Sequence, residues 1–257
     1  MNEQTVILHI PHASTWIPEE YKADFTGDLS RELQCMTDWF TDELFDFSAA
    51  RLVFPVSRLV CDPERFRDDS MEEMARRGMG ACYTRGHDGA KIRDLSPDRK
   101  EAILRRWYDP HHRSLTKMVS ERLNTHGFCT IVDCHSFHAA PLPYEPDQRE
   151  DRPDFCLGTD PFHTPQELID ALGDLFTGKR YSVAVNAPYS GTIVPLPYLR
   201  KDPGVRSVMI EVNRGLYLEA DGRKSPRFPR VKQDISAAVE TMAALSSSAL
   251  TKSDSTC

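Results

Sequence analysis

Six short apolar runs separated by longer amphipathic stretches predict an α/β protein, with parallel strands joined by helices. Three of these runs stop at polar residues. Thr5 to Leu8 leads into His9-Ile10-Pro11-His12, Cys129-Thr130-Ile131-Val132 into Asp133-Cys134-His135-Ser136-Phe137-His138, and Val208-Met209-Ile210 into Glu211-Val212-Asn213-Arg214. In an open α/β sheet, ligands bind beyond the carboxyl ends of the strands. Imidazoles and carboxylates gathered there are what a hard or borderline metal ion takes, so the pattern points to a metal hydrolase.

In chain order, the apolar runs place strands near 5–9, 51–56, 129–134, 154–157, 181–185 and 207–212. Amphipathic spacing places helices from Ser30 to about Ala50, Pro97 to about Thr125, Pro165 to about Phe176 and Val231 to Leu245. The second helix has a clear start: Ser96 can cap it, Pro97 suits its first position, and Asp98 and Glu101 follow. Stretches 61–96, 136–153 and 186–206 are long, polar and rich in Gly or Pro, and such loops are functional or disordered. One domain over 1–245 follows, with 246–257, dominated by Ser, Thr and Lys, as a disordered tail.

At 257 residues the chain can bury a core without disulfides or a structural metal. A net charge of −7 with scattered Lys and Arg argues against a nucleic-acid partner. Seven cysteines without a CxxC pair, and an N-terminus without a basic segment or long apolar core, read as a soluble protein of a reducing compartment, the cytoplasm. No apolar run approaches the roughly 18 residues a membrane helix needs, so no membrane partner is expected.

Individual residues carry competing readings. His9, inside the first strand, reads as a hydrogen-bonded core histidine. His12 is the better ligand, because Pro11 stiffens the exit from the strand. His135 has Asp133 and Ser136 close by to fix its tautomer, whereas His138 reads as a solvent-exposed loop residue. His111 and His112 follow Pro110, as in a proline-bent helix burying one histidine. Arg58 and Arg65, on either side of Asp62, suit either an ion-pair network or anion recognition. Arg214 suits either a pocket wall or a buried pair with an acid.

Five motifs in order carry a resemblance over about residues 5–220. They are Pro11-His12-Ala13-Ser14, the Ser-Arg…Asp…Arg run at 57–65, Asp133-Cys134-His135-Ser136, Asn186-Ala187-Pro188-Tyr189-Ser190-Gly191 and Glu211-Val212-Asn213-Arg214-Gly215-Leu216-Tyr217. The set resembles the N-formylglutamate amidohydrolases, more distantly related to zinc carboxypeptidases and aspartoacylases. The resemblance implies a three-layer αβα sandwich around a mostly parallel mixed sheet, of the phosphorylase/hydrolase-like kind, and one Zn²⁺. It implies His12, His135 and Asp38 as zinc ligands and Glu211 as general base. With these go Arg58 at the oxyanion, Arg65 on a substrate carboxylate, and Asn186, Tyr189 and Arg214 around a small-molecule N-acyl amino acid. Asp38 also suits a plain acid near a helix N-terminus.

The chain departs from relatives at three places. Thr15 stands where the carboxypeptidase-like pattern has a glutamate, Glu64 where related sequences have asparagine, and Thr192 where they often have glycine. The expected activity is zinc-dependent cleavage of N-formyl-L-glutamate to formate and glutamate. The alternatives are a zinc hydrolase of another N-acyl amino acid or peptide, which Glu64 favours, and a non-catalytic metal-binding relative.

Overall fold

A computed structural model describes residues 3–253. Six strands, β1 (Val6–Ile10), β2 (Ala50–Val53), β3 (Cys129–Phe137), β4 (Phe155–Gly158), β5 (Val183–Val185) and β6 (Val205–Asn213), form one sheet in the order β2-β1-β3-β6-β4-β5. All neighbours run parallel except β4 and β6, which pair antiparallel. The sheet is therefore mixed, and β4 and β5 run against the other four strands. Every residue of β3 is buried, the mark of a central strand covered on both faces.

Side-chain alternation divides the two faces. Val6, Leu8 and Ile10 of β1, Val132 and Cys134 of β3 and Val208, Ile210 and Val212 of β6 pack with α6 (Gln166–Gly178) and the closing helix α7 (Phe228–Ser253). The opposite face carries Ile7, Cys129, Ile131 and Val205 against Leu115 and Val119 of α5 (Asp109–His126). Helices thus flank both faces, giving the three layers expected. Along that second face the apolar residues give way towards the strand ends to His9, Asp133, His135 and Glu211, in phase with the alternation.

The long second helix is realised as α4 (Pro97–Ile103), a π-type turn (Leu104–Tyr108) and α5 in succession. Ser96 caps it, its hydroxyl accepting from the Arg99 N–H at 3.2 Å. The wide turn sits just ahead of Pro110, which has no N–H to continue a regular ladder. His111 is buried, as the proline-bent reading expects.

The helix expected over 30–50 is different. Beyond the short α1 (Glu19–Lys22), it splits into α2 (Leu29–Met36) and α3 (Thr41–Leu44), with Thr37 extended and Phe40 in the left-handed region at φ 61°. The Asp38 N–H leaves the helical ladder and donates to the His12 carbonyl at 3.0 Å. That break turns the Asp38 side chain towards the sheet edge, so Asp38 lies between the two helices, two residues ahead of the Phe40 cap of α3. The backbone of α7 continues to Ser253 through much of the segment expected as a tail, and residues 254–257 lie outside those described. Among the described residues, no helix is long and apolar enough to cross a membrane.

On the α7 side, Phe155 of β4 stacks on Phe176 of α6 with ring centroids 3.9 Å apart and planes 12° from parallel. Both rings are fully buried, so truncation removes apolar area and leaves a cavity. Phe176→Ala is expected to lower unfolding stability by about 3–5 kcal/mol. Urea denaturation followed by circular dichroism would check it; a loss under 1 kcal/mol would mean α6 is not anchored through this stack.

Candidate metal centre and active-site cavity

His12, Asp38 and His135 come from three separate places: the residue after Pro11 at the end of β1, the α2–α3 break, and the interior of β3. All three are buried, and one potential ligand atom from each lies within 4.8 Å of the others. His12 Nδ1 is 3.6 Å and His135 Nδ1 3.2 Å from Asp38 Oδ2, with the ring centroids 4.9 Å apart.

The far nitrogen of each ring is held by another carboxylate. His12 Nε2 lies 2.9 Å from Asp62 Oδ1, and His135 Nε2 lies 3.1 Å from Asp133 Oδ1. Each ring thus has a carboxylate on both sides, and a neutral imidazole that donates from Nε2 to its outer carboxylate would leave the Nδ1 lone pair on the Asp38 side for a metal ion. His12 Nδ1 is buried with no hydrogen-bond partner, an arrangement that leaves a donor atom waiting for an electrophile. This donor set suits a divalent ion such as zinc: two imidazoles oriented by carboxylates and one carboxylate.

Electrostatics agree. Burial works against ionised Asp38, yet the facing imidazoles of His12 and His135 and the charge on Arg214 hold its carboxyl well below the usual range. Burial likewise opposes a charged His135, but Asp133 and Asp38 overcome it and raise its pKa well above the ordinary value. A negative field that retains a proton there also attracts a metal cation.

Glu211 faces His135 across the β3–β6 register, with Oε2 buried and unpartnered. Burial pushes its carboxyl up to about 8, opposed by His135 and reinforced by Asp38. Arg58 lines the same cavity, its Nη2 and Nε donating to Asp62 Oδ2 at 2.8 and 3.2 Å and its Nε approaching the Tyr83 hydroxyl at 3.2 Å. Both readings of Arg214 hold at once: it lines the cavity and pairs with Asp38 Oδ1 at 2.9 Å, also donating to Ser136 Oγ at 3.1 Å.

The cavity holds about 590 Å³ and is walled by the three long loops. Arg65 and Tyr189 line it, but Asn186 does not. Asn186 sits just past β5 at φ 55°, with its side chain occupied by Thr159: Oδ1 accepts from the Thr159 N–H at 2.9 Å and Nδ2 donates to its hydroxyl at 2.7 Å. It ties together the ends of the parallel strands β4 and β5, away from the cavity wall. His138 also differs from expectation. It is half-buried, with Nε2 2.7 Å from both the Cys35 carbonyl and Arg214 Nη1.

His9 has the expected core role, with Nδ1 2.9 Å from Asp133 Oδ1 and Nε2 2.8 Å from His111 Nε2. Asp133 therefore joins His9 to His135. Sequence reasoning missed that Asp62 orients His12 and that Tyr83 shares Asp62; the Tyr83 hydroxyl donates to Asp62 Oδ2 at 2.5 Å. The Arg-flanked Asp62 was visible as an ion-pair candidate, but nothing local links it to a histidine at position 12.

The family model of N-formylglutamate amidohydrolase matches residues 4–218. Among solved structures, the crystal structure of N-formylglutamate amidohydrolase from Ralstonia eutropha JMP134 superposes with a TM-score of 0.82 at 22% identity, covering 96% of this chain and 95% of that one. A gene product from Agrobacterium tumefaciens superposes with a TM-score of 0.66 at 21% identity, over 98% of this chain and 92% of that one. No curated protein matches the sequence significantly. At these identities the structural likeness establishes the fold. The family match spans both histidines, the break at Asp38, the Asp62 loop and Glu211, and on it the chain belongs to the N-formylglutamate amidohydrolase family.

Proposed function

We infer that the chain is a zinc-dependent amidohydrolase of N-acyl amino acids, with N-formyl-L-glutamate, the compound that names its family, as the first substrate to test. The observation that carries this reading is the unpartnered Nδ1 of His12, directed at Asp38 beside a second imidazole held the same way. His12, Asp38 and His135 would hold the ion. When bound, zinc supplies Lewis acidity, polarising the amide carbonyl and making water acidic enough to react near neutral pH.

The chain's own groups perform the remaining work. Glu211 takes a proton from the attacking water and delivers it to the amide nitrogen as the C–N bond breaks, so that a carboxylate and a free amine leave. Burial keeps the Glu211 carboxyl basic enough for this exchange. Arg58 is preorganised by Asp62 and Tyr83 beside the cavity and would donate to the carbonyl oxygen as negative charge develops. Arg65 would receive a substrate carboxylate. Tyr189 and the Asp38-bound Arg214 would shape the pocket. Both histidines and Glu211 in one cavity speak against a non-catalytic relative.

Zinc analysis of purified protein, followed by assay against a panel of N-formyl and N-acetyl amino acids, tests the reading; absence of both metal and turnover would end it. His135→Ala is expected to abolish stoichiometric zinc, and Asp62→Asn to weaken zinc affinity about 10–100-fold by loosening His12. Competition with a chromophoric chelator measures both, and unaltered affinity in the two variants would move the site elsewhere.

Glu211→Gln is expected to retain zinc while kcat falls about 10²–10⁴-fold with little change in KM. A variant turning over at the wild-type rate would remove Glu211 from proton transfer.

A further inference from the structure

The cavity is poorly matched to a substrate with two carboxylates. Seven carboxylate side chains line it against four guanidiniums. Of those guanidiniums, Arg58 is engaged by Asp62 and Arg214 by Asp38, while Arg200 stands at the rim with its side chain 74% exposed. Arg65 differs. Its buried Nε has no hydrogen-bond partner, and its nearest carboxylate oxygen, Asp62 Oδ2, is 3.9 Å away.

Beside it is a carboxylate in the same condition. Glu64 lines the cavity with its side chain only 13% exposed, and its Oε1 is buried without a hydrogen-bond partner. That oxygen lies 3.2 Å from His9 Nδ1, but the nitrogen has one proton and Asp133 is closer, at 2.9 Å. Glu64 Oε1 therefore competes with Asp133 for the His9 proton, and Oε2, 4.0 Å from His135 Nε2, is the oxygen left to accept from a bound molecule.

The loop presenting both residues is fixed from below. The Glu64 N–H donates to Asp62 Oδ1 at 2.9 Å, His112 Nε2 meets the Pro63 carbonyl at 3.0 Å, and the Tyr108 hydroxyl donates to the Arg65 carbonyl at 2.8 Å. The backbone carrying Glu64 and Arg65 is thus held at the cavity wall, and a bound molecule meets both side chains.

We propose that Arg65 and Glu64 together select an N-acyl amino acid with a single carboxylate and a hydrogen-bond-donating side arm, a primary amide or an ammonium, in place of a second carboxylate. Arg65 holds the carboxylate through its guanidinium fork, and Glu64 accepts from the arm. A second carboxylate would meet Glu64 at close range in a site where charge is weakly screened. The assignment deepens the amidohydrolase reading and rests on this cavity being the substrate site.

N-formylglutamine and N-formylglutamate have nearly the same shape and differ in the charge of the arm, so their ratio isolates the effect. In the zinc-loaded wild type, kcat/KM for N-formylglutamine is expected to exceed that for N-formylglutamate at least about tenfold. Glu64→Gln should collapse this ratio towards one, while Arg65→Lys weakens both compounds and leaves the ratio in place. Calorimetric binding of the two compounds to Glu211→Gln protein reads the same preference without turnover. Tighter binding of N-formylglutamine without hydrolysis of either compound by the wild type would support the pairing and overturn the hydrolytic reading. A wild type that binds and cleaves N-formylglutamate at least as well as N-formylglutamine would overturn the proposal, whether or not the Glu64 variant folds.

Discussion

Charge compensation under a single sheet edge is the constraint on which the rest of the structure depends. Asp38, Asp62 and Asp133 are buried beyond the reach of bulk water. A buried carboxylate left alone is costly enough to disrupt a fold, and each of these is met instead by several partners. Asp62 accepts from His12, Arg58 and Tyr83; Asp133 meets His9 and His135; Asp38 meets both ligand imidazoles and Arg214. The network is continuous through shared residues, so loss of one member strands the others. Its stability is bound up with its geometry, and that geometry brings together three groups that could hold a metal ion.

The sheet supplies the precision this network needs. Parallel registry sets His9 beside Asp133 and His135 beside Glu211 without any loop having to position them. Alternation then directs these side chains to the α5 face, while their sequence neighbours fill the opposite core. Less regular parts add what strands cannot. The α2–α3 break brings in a carboxylate, and the loop at 57–65 brings both an imidazole partner and the groups facing the cavity.

All six strands were legible in the sequence because continuous apolar runs bounded by polar residues leave few alternatives for a buried strand. His12, His135 and Glu211 were legible because each follows such a run. The helix break at Thr37–Phe40 was not, since the residues around it have helical periodicity and the Asp38 contact with His12 is made by a distant part of the chain. Asn186 misled for a related reason: an amide in a loop looks available until its partner just past the neighbouring strand β4, Thr159, is known. The pairing of Asp62 with His12 depends on a chain crossing that no local pattern encodes. Tyr83, an aromatic in a long polar loop, carried no signal of its destination.

The backbone bond from Asp38 to the His12 carbonyl has an implication for how an ion would arrive. Two of the three ligand residues are tied to one another through main chain, and the third is part of a fully buried strand. The candidate ligand atoms are therefore assembled by folding itself, unlike small metal domains that collapse into shape only around their ion. Loading and removal become matters of diffusion through a cavity and competition with protons. A chain that binds its ion in such a site would lose it to a chelator without losing its shape, and metal supply would then set the active fraction of an already folded population.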